Sequence, residues 1–306
     1  MVSWRIYNKQ TIVSNMRLLI TGISGNIGNE LSKKLEKEEI DFLGLDIVNN
    51  KINWKKIISN DITKLKNLLK EKKLKKIDTL IHLASKINNE KDVTKIGLES
   101  IDVNIKGTIN LLNSLPNLKN ILFASSYMVY GIPLQNPIKE NHKLEPQNVY
   151  GISKVITEKY LQVFCKERKI ELTIFRFMGI YGFSENYTSQ AIPIFINKIK
   201  NNEKPTIFGD GNQKRNHLYV DDAIDAIITW LKNTKAGIFN IGGADTPTNL
   251  ELISLINKKM SKKVQPIFVN QEQHDFIADI SNMKKILKFT PKIKIKDGIN
   301  KTVEKF

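Results

Sequence analysis

The chain has 306 residues, 41% hydrophobic and 26% charged, with Lys+Arg 48 against Asp+Glu 31 and a formal net charge of +17. That apolar fraction excludes a disordered chain, and the length suffices for a core burying about three quarters of the unfolded surface. One cysteine excludes a disulfide framework or a Cys-based zinc site; with no apolar run near the roughly 18 residues of a membrane span and no signal-like start, a cytoplasmic protein is expected.

Residues 1–15 show no clear period and are read as an N-terminal extension. Residues 17–21 predict a buried strand ending in a glycine turn at Gly22. Further strands are predicted at 41–46, 79–84, 121–125 and 171–175. Between them, apolar residues three or four apart predict helices. The first carries Ile27, Leu31 and Leu35, and the second Leu65, Leu68 and Leu69. The third carries Ile101, Ile105, Ile109 and Leu112. A long one runs from Tyr150 to about Lys169, with Val155, Tyr160 and Phe164 as core candidates. This alternation predicts an α/β fold, a Rossmann-type doubly wound parallel sheet with helices on both faces. After residue 178 the rhythm gives way to longer loops containing Gly and Pro.

Between the first strand and first helix lies Thr21-Gly22-Ile23-Ser24-Gly25-Asn26-Ile27-Gly28. Glycines at 22, 25 and 28 allow a tight turn, close approach of backbone to a pyrophosphate, and close helix–strand packing. The helix starting near Asn26 aims free N–H groups at that phosphate. Asp46 closes the second strand 18 residues after Gly28, near the spacing for a carboxylate that holds an adenosine ribose. Such a carboxylate repels a 2′-phosphate, which favours NAD over NADP; the plainer reading of Asp46 is a strand-end turn residue.

Tyr150-Gly151-Ile152-Ser153-Lys154 places a phenol and an ammonium at i and i+4, on one helix face. A phenol of pKa about 10 is a poor acid–base at neutral pH, but Lys⁺ together with an oxidised nicotinamide would stabilise its phenolate. Lys154 can also donate to the nicotinamide ribose. Phe123-Ala124-Ser125-Ser126 runs off a strand end, where a hydroxyl can bind the substrate oxygen that Tyr150 serves.

Taken in order, these motifs resemble those of the extended short-chain dehydrogenase/reductases of the NAD-dependent epimerase/dehydratase family. TGISGNIG resembles the family's TGxxGxxG, and Asp61-Ile62 its adenine-contacting acid and neighbour. His82-Leu83-Ala84-Ser85 resembles the segment alongside the cofactor, and Val103-Asn104-Ile105-Lys106-Gly107-Thr108 its VNxxGT helix. SSYMVYG, YGISK, RFMGIYG, FGDGNQKR, YVDD and FNIGG follow in the family's order, the likeness covering about residues 16–290.

The resemblance implies an NAD-binding domain over 16–178, with a returning segment near 219–241, and a mainly substrate-binding region over 179–306. It implies NAD contacts from Gly22, Gly25, Asn26, Ile27, Gly28, Asp46, Asp61, Ile62, Leu83, Ala84, Ser85, Asn104, Tyr150 and Lys154. Tyr150, Lys154 and Ser126 are the implied catalytic residues. Ser126, Arg215, Gly179 and Tyr181 are implied to meet a nucleotide-diphosphate sugar, with Arg215 on the diphosphate, and the implied assembly is a homodimer through two helices per subunit.

Departures from the family's pattern narrow the reaction. Tyr127-Met128 stand where the family's dehydratases carry Asp-Glu, and methionine has no proton to exchange, so dehydration is disfavoured. Gly179 replaces a usual Asn, and the stretch before Ala278-Asp279 lacks a second diphosphate-binding Arg. The expected activity is NAD-dependent epimerisation, at C4. The alternatives are a 4-keto-sugar reductase or a sugar dehydrogenase with net redox turnover and, more distantly, a non-catalytic dinucleotide-binding protein.

Of the basic residues only Arg5, Arg17, Arg168, Arg176 and Arg215 are arginine. Lysines fall in short runs without interleaved aromatics and no nucleic-acid-recognition motif accompanies them, so no nucleic-acid partner is expected. Arg176 reads either as a substrate-side residue or as a structural strand-end ion pair. His82 reads as cofactor-side or core, and no metal site or membrane association is expected.

Overall fold

The computed structural model describes residues 16–48, 57–87, 92–183 and 190–306. The extension expected at 1–15 lies outside them. A seven-stranded sheet is built from β1 (Leu18–Thr21), β2 (Phe42–Asp46), β3 (Ile57–Ser59), β4 (Thr79–His82), β5 (Asn120–Ser126), β6 (Glu171–Phe177) and β10 (Gly237–Ile241). Its spatial order is β10-β6-β5-β4-β1-β2-β3. β1 pairs in parallel with both β2 and β4, and Thr21 stands opposite Leu45 on one side and His82 on the other. The strand order reverses at β1, and the crevice beyond the strand ends at such a reversal is where α/β sheets bind ligands.

The helices are α1 (Asn26–Lys37), α2 (Leu65–Lys70), α3 (Val93–Ser100), α4 (Thr108–Asn113), α5 (Val149–Arg168), α6 (Ala191–Lys200), α7 (Val220–Leu231), α8 (Asn249–Met260), α9 (Ser281–Lys285) and α10 (Ile295–Val303). Two short parallel pairs complete the strands: β7 (Gly179–Tyr181) with β9 (His217–Tyr219), and β8 (Thr206–Phe208) with β11 (Ile267–Val269). The described residues form two compact units. The first holds those up to Gly131 with Leu144–Arg176 and Ile227–Phe239; the second holds Ile132–Lys143, Phe177–Ala226 and Asn240–Phe306. The excursion 132–143 carries no period that sets it apart in the sequence.

Two helices differ from the periodicity. Residues Ile101–Gly107 form a π-helical turn between α3 and α4. The added residue rotates the inward face, so Asn104 and Thr108 are buried while Ile101 is exposed. In α5 the inward residues are Gly151, Ser153, Lys154, Thr157 and Glu158, then Leu161 and Cys165. Val155, Tyr160 and Phe164 are only half-buried, with Tyr160 stacked on Phe164 at 5.9 Å. A hydrophobic count misses a polar inward face, which is tolerated because each buried group has a hydrogen-bond partner.

Candidate active site

The glycine loop leaves β1 through Gly22, whose φ of +71° favours glycine. A Cβ there would lie 2.7 Å from the Ala84 backbone nitrogen, and one at Gly28 would overlap the Gly22 carbonyl oxygen. The Gly22 N–H donates to Leu45 O at 3.0 Å, and the Leu83 N–H to Thr21 O at 3.2 Å. The ends of β1, β2 and β4 are thereby bound to one another at one level. No side chain caps the start of α1 at Gly25, and the positive end of the helix dipole there suits an anion. Asn26 is exposed and Ile27 half-buried.

Asp46 accepts from the Ser24 N–H at 2.9 Å and from the Val48 N–H at 3.3 Å. A carboxylate offers about four acceptor positions, so two remain for a ribose diol. Asp61 accepts from the Thr63 N–H at 2.8 Å. The Ile62 side chain is core: it packs where a Cβ on Gly107 would lie 2.7 Å from it. The backbone of Ile62 is what remains for the expected adenine contact.

The residues expected to act on the substrate, Tyr150 and Lys154, lie on α5. Asn148 caps the helix by accepting from the Gly151 N–H at 2.8 Å. Gly151 lets the turn after β5 close in, since a Cβ there would lie 2.5 Å from the Met128 carbonyl oxygen. Lys154 is 2% exposed and donates one of its three N–H groups to Ala124 O at 2.8 Å. Its Nζ lies 5.5 Å from the centroid of the half-buried Tyr150 ring. The Ser126 hydroxyl oxygen accepts from the Met128 N–H at 3.3 Å, which leaves its proton to donate.

Burial pushes the Tyr150 phenol up to about 12, with a hydrogen bond to Ser85 pulling down and Tyr127 pushing up. Burial pushes the Lys154 ammonium down to about 7, and the Glu158 carboxylate opposes that fall. The expected lowering of the phenol is therefore not achieved by Lys154 alone; a second positive charge beside Tyr150 is needed. His82 is core rather than a cofactor contact. It is held between Thr21 Oγ1 at 2.7 Å and Thr108 Oγ1 at 2.8 Å, and burial, aided by the Lys154 charge, pushes it down to about 3.

Asn104 is placed by the π turn. Its Oδ1 accepts from Ser85 Oγ at 3.1 Å and Lys86 N–H at 2.7 Å, while its Nδ2 donates to Lys86 O at 3.2 Å and Ser153 Oγ at 2.9 Å. Two donors and two acceptor positions are all an amide offers. The side chain is thereby committed to bracing its neighbours. Ser153 Oγ in turn donates to Tyr150 O at 2.7 Å, so Asn104 grips Tyr150 through its backbone and, by way of Ser85, through its hydroxyl.

Behind this face, Glu158 receives Ser125 Oγ at 2.5 Å and Arg176 at 3.1 and 2.6 Å. Arg176 also donates to Tyr130 OH at 3.1 Å. Arg176 and Glu158 are 2% and 1% exposed, which assigns Arg176 to an internal ion pair and removes it from the substrate side.

In the second unit, Arg215 donates to Gln273 Oε1 at 2.9 Å. Gln213 Oε1 and His217 Nε2, two residues before and after it, are buried without a hydrogen-bond partner. Burial, aided by the Arg215 charge, pushes His217 down to about 4, so it is neutral near pH 7. A Cβ on Gly179 would lie 3.4 Å from His217 Nδ1, so the imidazole edge borders the space that Gly179 leaves. Tyr181, expected at the substrate, is buried with its hydroxyl against Gly298 and its ring 5.4 Å from Tyr219. It belongs to that unit's core.

The profile of the NAD-dependent epimerase/dehydratase family matches residues 18–242. The chain belongs to this family. A Methanocaldococcus jannaschii protein provisionally named UDP-glucose 4-epimerase is 34% identical over 94% of this chain and 97% of its own length. The dTDP-4-dehydro-6-deoxyglucose reductase of Escherichia coli is 31% identical over 94% of this chain and 96% of its own. The Thermotoga maritima UDP-glucose 4-epimerase structure with UDP-glucose superimposes with a TM-score of 0.86 at 25% identity, covering 94% and 98% of the two chains.

The cofactor of the family is NAD, and the first unit suits it: a glycine cradle a Cβ would fill, an uncapped helix start, and an acid at the end of β2. Among the described residues, no group of three or more His, Cys, Asp or Glu is placed to hold a metal ion, and no helix is long and apolar enough to cross a membrane. The sequence reading missed Glu158, Gln213 and His217. Glu158 lies one turn past Lys154 on the catalytic face, and Gln213 and His217 flank Arg215 at i−2 and i+2. Both spacings were available in the chain.

Proposed function

We propose that the protein epimerises a nucleotide-diphosphate sugar at C4. The observation that carries this is Tyr150 held on two sides by the Asn104 brace, with Lys154 and Ser126 at the adjoining strand end. NAD, when bound, supplies the acceptor and donor for the sugar's C–H electron pair within one catalytic cycle. Gly22, Gly25, Asn26 and Gly28 would hold its pyrophosphate, Asp46 its adenosine ribose, and Asp61, the Ile62 backbone and the Leu83–Ser85 strand end its remaining length. Tyr150 takes the proton of the C4 hydroxyl and returns it; Ser126 donates to the same oxygen. Lys154, with two N–H groups uncommitted, keeps positive charge beside the phenolate and orients the ribose. Arg215, its fork steadied by Gln273, takes the diphosphate, a geometry suited to guanidinium. Methionine at 128 leaves no acid–base pair for dehydration.

The test is a panel of UDP-, GDP-, CDP- and dTDP-sugars, followed by product sugars and by absorbance at the NADH band. Epimer formation without net NADH change is expected. Stoichiometric NAD(P)(H) turnover would establish the second reading, a sugar dehydrogenase where NAD(P) is reduced or a 4-keto-sugar reductase where NAD(P)H is consumed, the latter being what the E. coli relative favours.

A homodimer is part of the proposal. α3 packs against α5, and Ile152, Ile156 and Val163 form an exposed apolar stripe on α5 beside the exposed Leu98 and Ile101. Such a contiguous apolar face suits a self-complementary interface. Ile156→Glu is expected to give a monomer by light scattering, and an unchanged mass would refute the interface.

A further inference from the structure

A buried ion pair is no stronger for stability than two apolar side chains of the same volume, so its place in a core asks for another reason. Glu158 and Arg176 form such a pair directly behind the face that carries Tyr150 and Lys154. What they do touch is the end of β5. There, three consecutive residues have three different fates. The Ala124 carbonyl accepts from Lys154, the Ser125 hydroxyl donates to Glu158, and the Ser126 hydroxyl stays available to donate.

Along an extended strand, successive side chains project to opposite faces. Ser125-Ser126 therefore presents two identical hydroxyls, one to each side, and a rotation of the strand end by one residue would exchange them. We propose that Glu158, neutralised by Arg176, is a positioning residue that captures Ser125 and so fixes Ser126 as the hydroxyl presented for catalysis. Both anchors lie on α5, Lys154 on Ala124 and Glu158 on Ser125, one turn apart. The strand end is thus pinned to the same helix that carries Tyr150. Arg176 holds Glu158 from β6 with two hydrogen bonds and leans on the Tyr130 ring at 5.0 Å, which fixes the carboxylate from its far side.

This inference rests on the acid–base roles proposed above, and the experiment separates the two. Wild type is first assayed on the nucleotide-sugar panel; no turnover there overturns both. With an active wild type, Ser125→Ala is expected to lower kcat at least fivefold with KM within twofold and the thermal midpoint little changed. Ser125→Thr, which restores the hydroxyl, recovers most of the rate. The volume-matched apolar pair E158M/R176M is expected to keep the fold and bound NAD while losing at least tenfold in kcat.

E158Q adds a readout that packing alone would not move. The charged and titratable groups facing Lys154 are Tyr150 and Glu158 on α5 and neutral His82 on β4. Removing the Glu158 charge leaves Arg176 unopposed and pushes the ammonium further down. The alkaline limb of kcat should then move about one pH unit toward acid. Wild-type kcat in S125A, recovery of kcat in the apolar pair, or an unmoved limb in a folded E158Q would each overturn the inference while leaving the epimerase reading intact.

Discussion

The face of the first unit around Tyr150 and the Arg215 segment of the second are both polar and both contain buried polar atoms, yet they are finished to different degrees. Around Tyr150, the Asn104 amide has all four of its hydrogen bonds and Glu158 has three donors. Around Arg215, Gln213 Oε1 and His217 Nε2 have none. Buried polar groups without partners are rare in proteins and ask for an explanation. The contrast separates two tasks. Groups that move protons must already stand in place before substrate arrives, whereas groups that recognise a ligand can be completed by it.

The comparison would break first at Tyr150. Tyr150→Phe removes the proton carrier and should lower kcat by roughly 10² to 10⁴ while cofactor stays bound, checked by turnover and by absorbance of released NAD. Full activity would place the acid–base elsewhere.

Asn104→Ala should come next, although its side chain has no hydrogen bond left for a ligand. It leaves the Lys86 N–H and carbonyl unpaired and frees Ser85 and Ser153. We expect a loss of about 1–3 kcal/mol in urea unfolding and a fall in kcat. Retained stability would mean that the brace is ornamental.

Acid sensitivity tests the buried imidazoles of both units. His82 and His217 sit at about 3 and about 4 in place of 6.5. The unfolded chain takes up these protons near pH 6.5 and the native state only near 3 to 4. Their contribution is therefore complete above about pH 6.5 and is lost as pH falls through that window. The urea midpoint should decline from pH 6.5 to 4, and His82→Gln should flatten the decline.

On the recognition side, Arg215→Met should raise KM for the nucleotide sugar roughly 10- to 150-fold with little change in kcat, since a lost charged hydrogen bond is worth roughly 1.5–3 kcal/mol. The smallest effect is expected at His217. His217→Phe deletes no hydrogen bond and should leave the thermal midpoint nearly unchanged, in contrast to Asn104→Ala. A large drop would show that Nε2 has a partner after all.

The sheet was legible because its strands are short apolar runs at regular spacing, and 17–21, 41–46, 121–125 and 171–175 lie within two residues of β1, β2, β5 and β6. The glycine loop was legible because the tight approach of Gly22 to Ala84 permits no other residue type. The π turn was not, since the apolar spacing of Ile101, Ile105 and Ile109 suits an ordinary helix equally well. Nor was the polar inward face of α5, because periodicity weighs hydrophobicity and Glu158 carries none. Arg176 was ambiguous for a related reason: a motif gives the order of residues along the chain, and only the fold shows that Glu158, 18 residues earlier, waits beside it.

The π turn also bears on how this chain can vary. A single extra residue between 101 and 107 sets the angular offset between α3 and α4. Deleting Ile105, Lys106 or Gly107 would restore an ordinary helix and rotate everything before it by about 100° relative to α4. Asn104 would then swing away from Ser85 and Ser153, and the apolar patch at Leu98 would turn with it. The segment should therefore accept many substitutions and almost no change of length. Insertions and deletions are ordinarily a property of loops; here the indel-intolerant stretch lies in the middle of a helix.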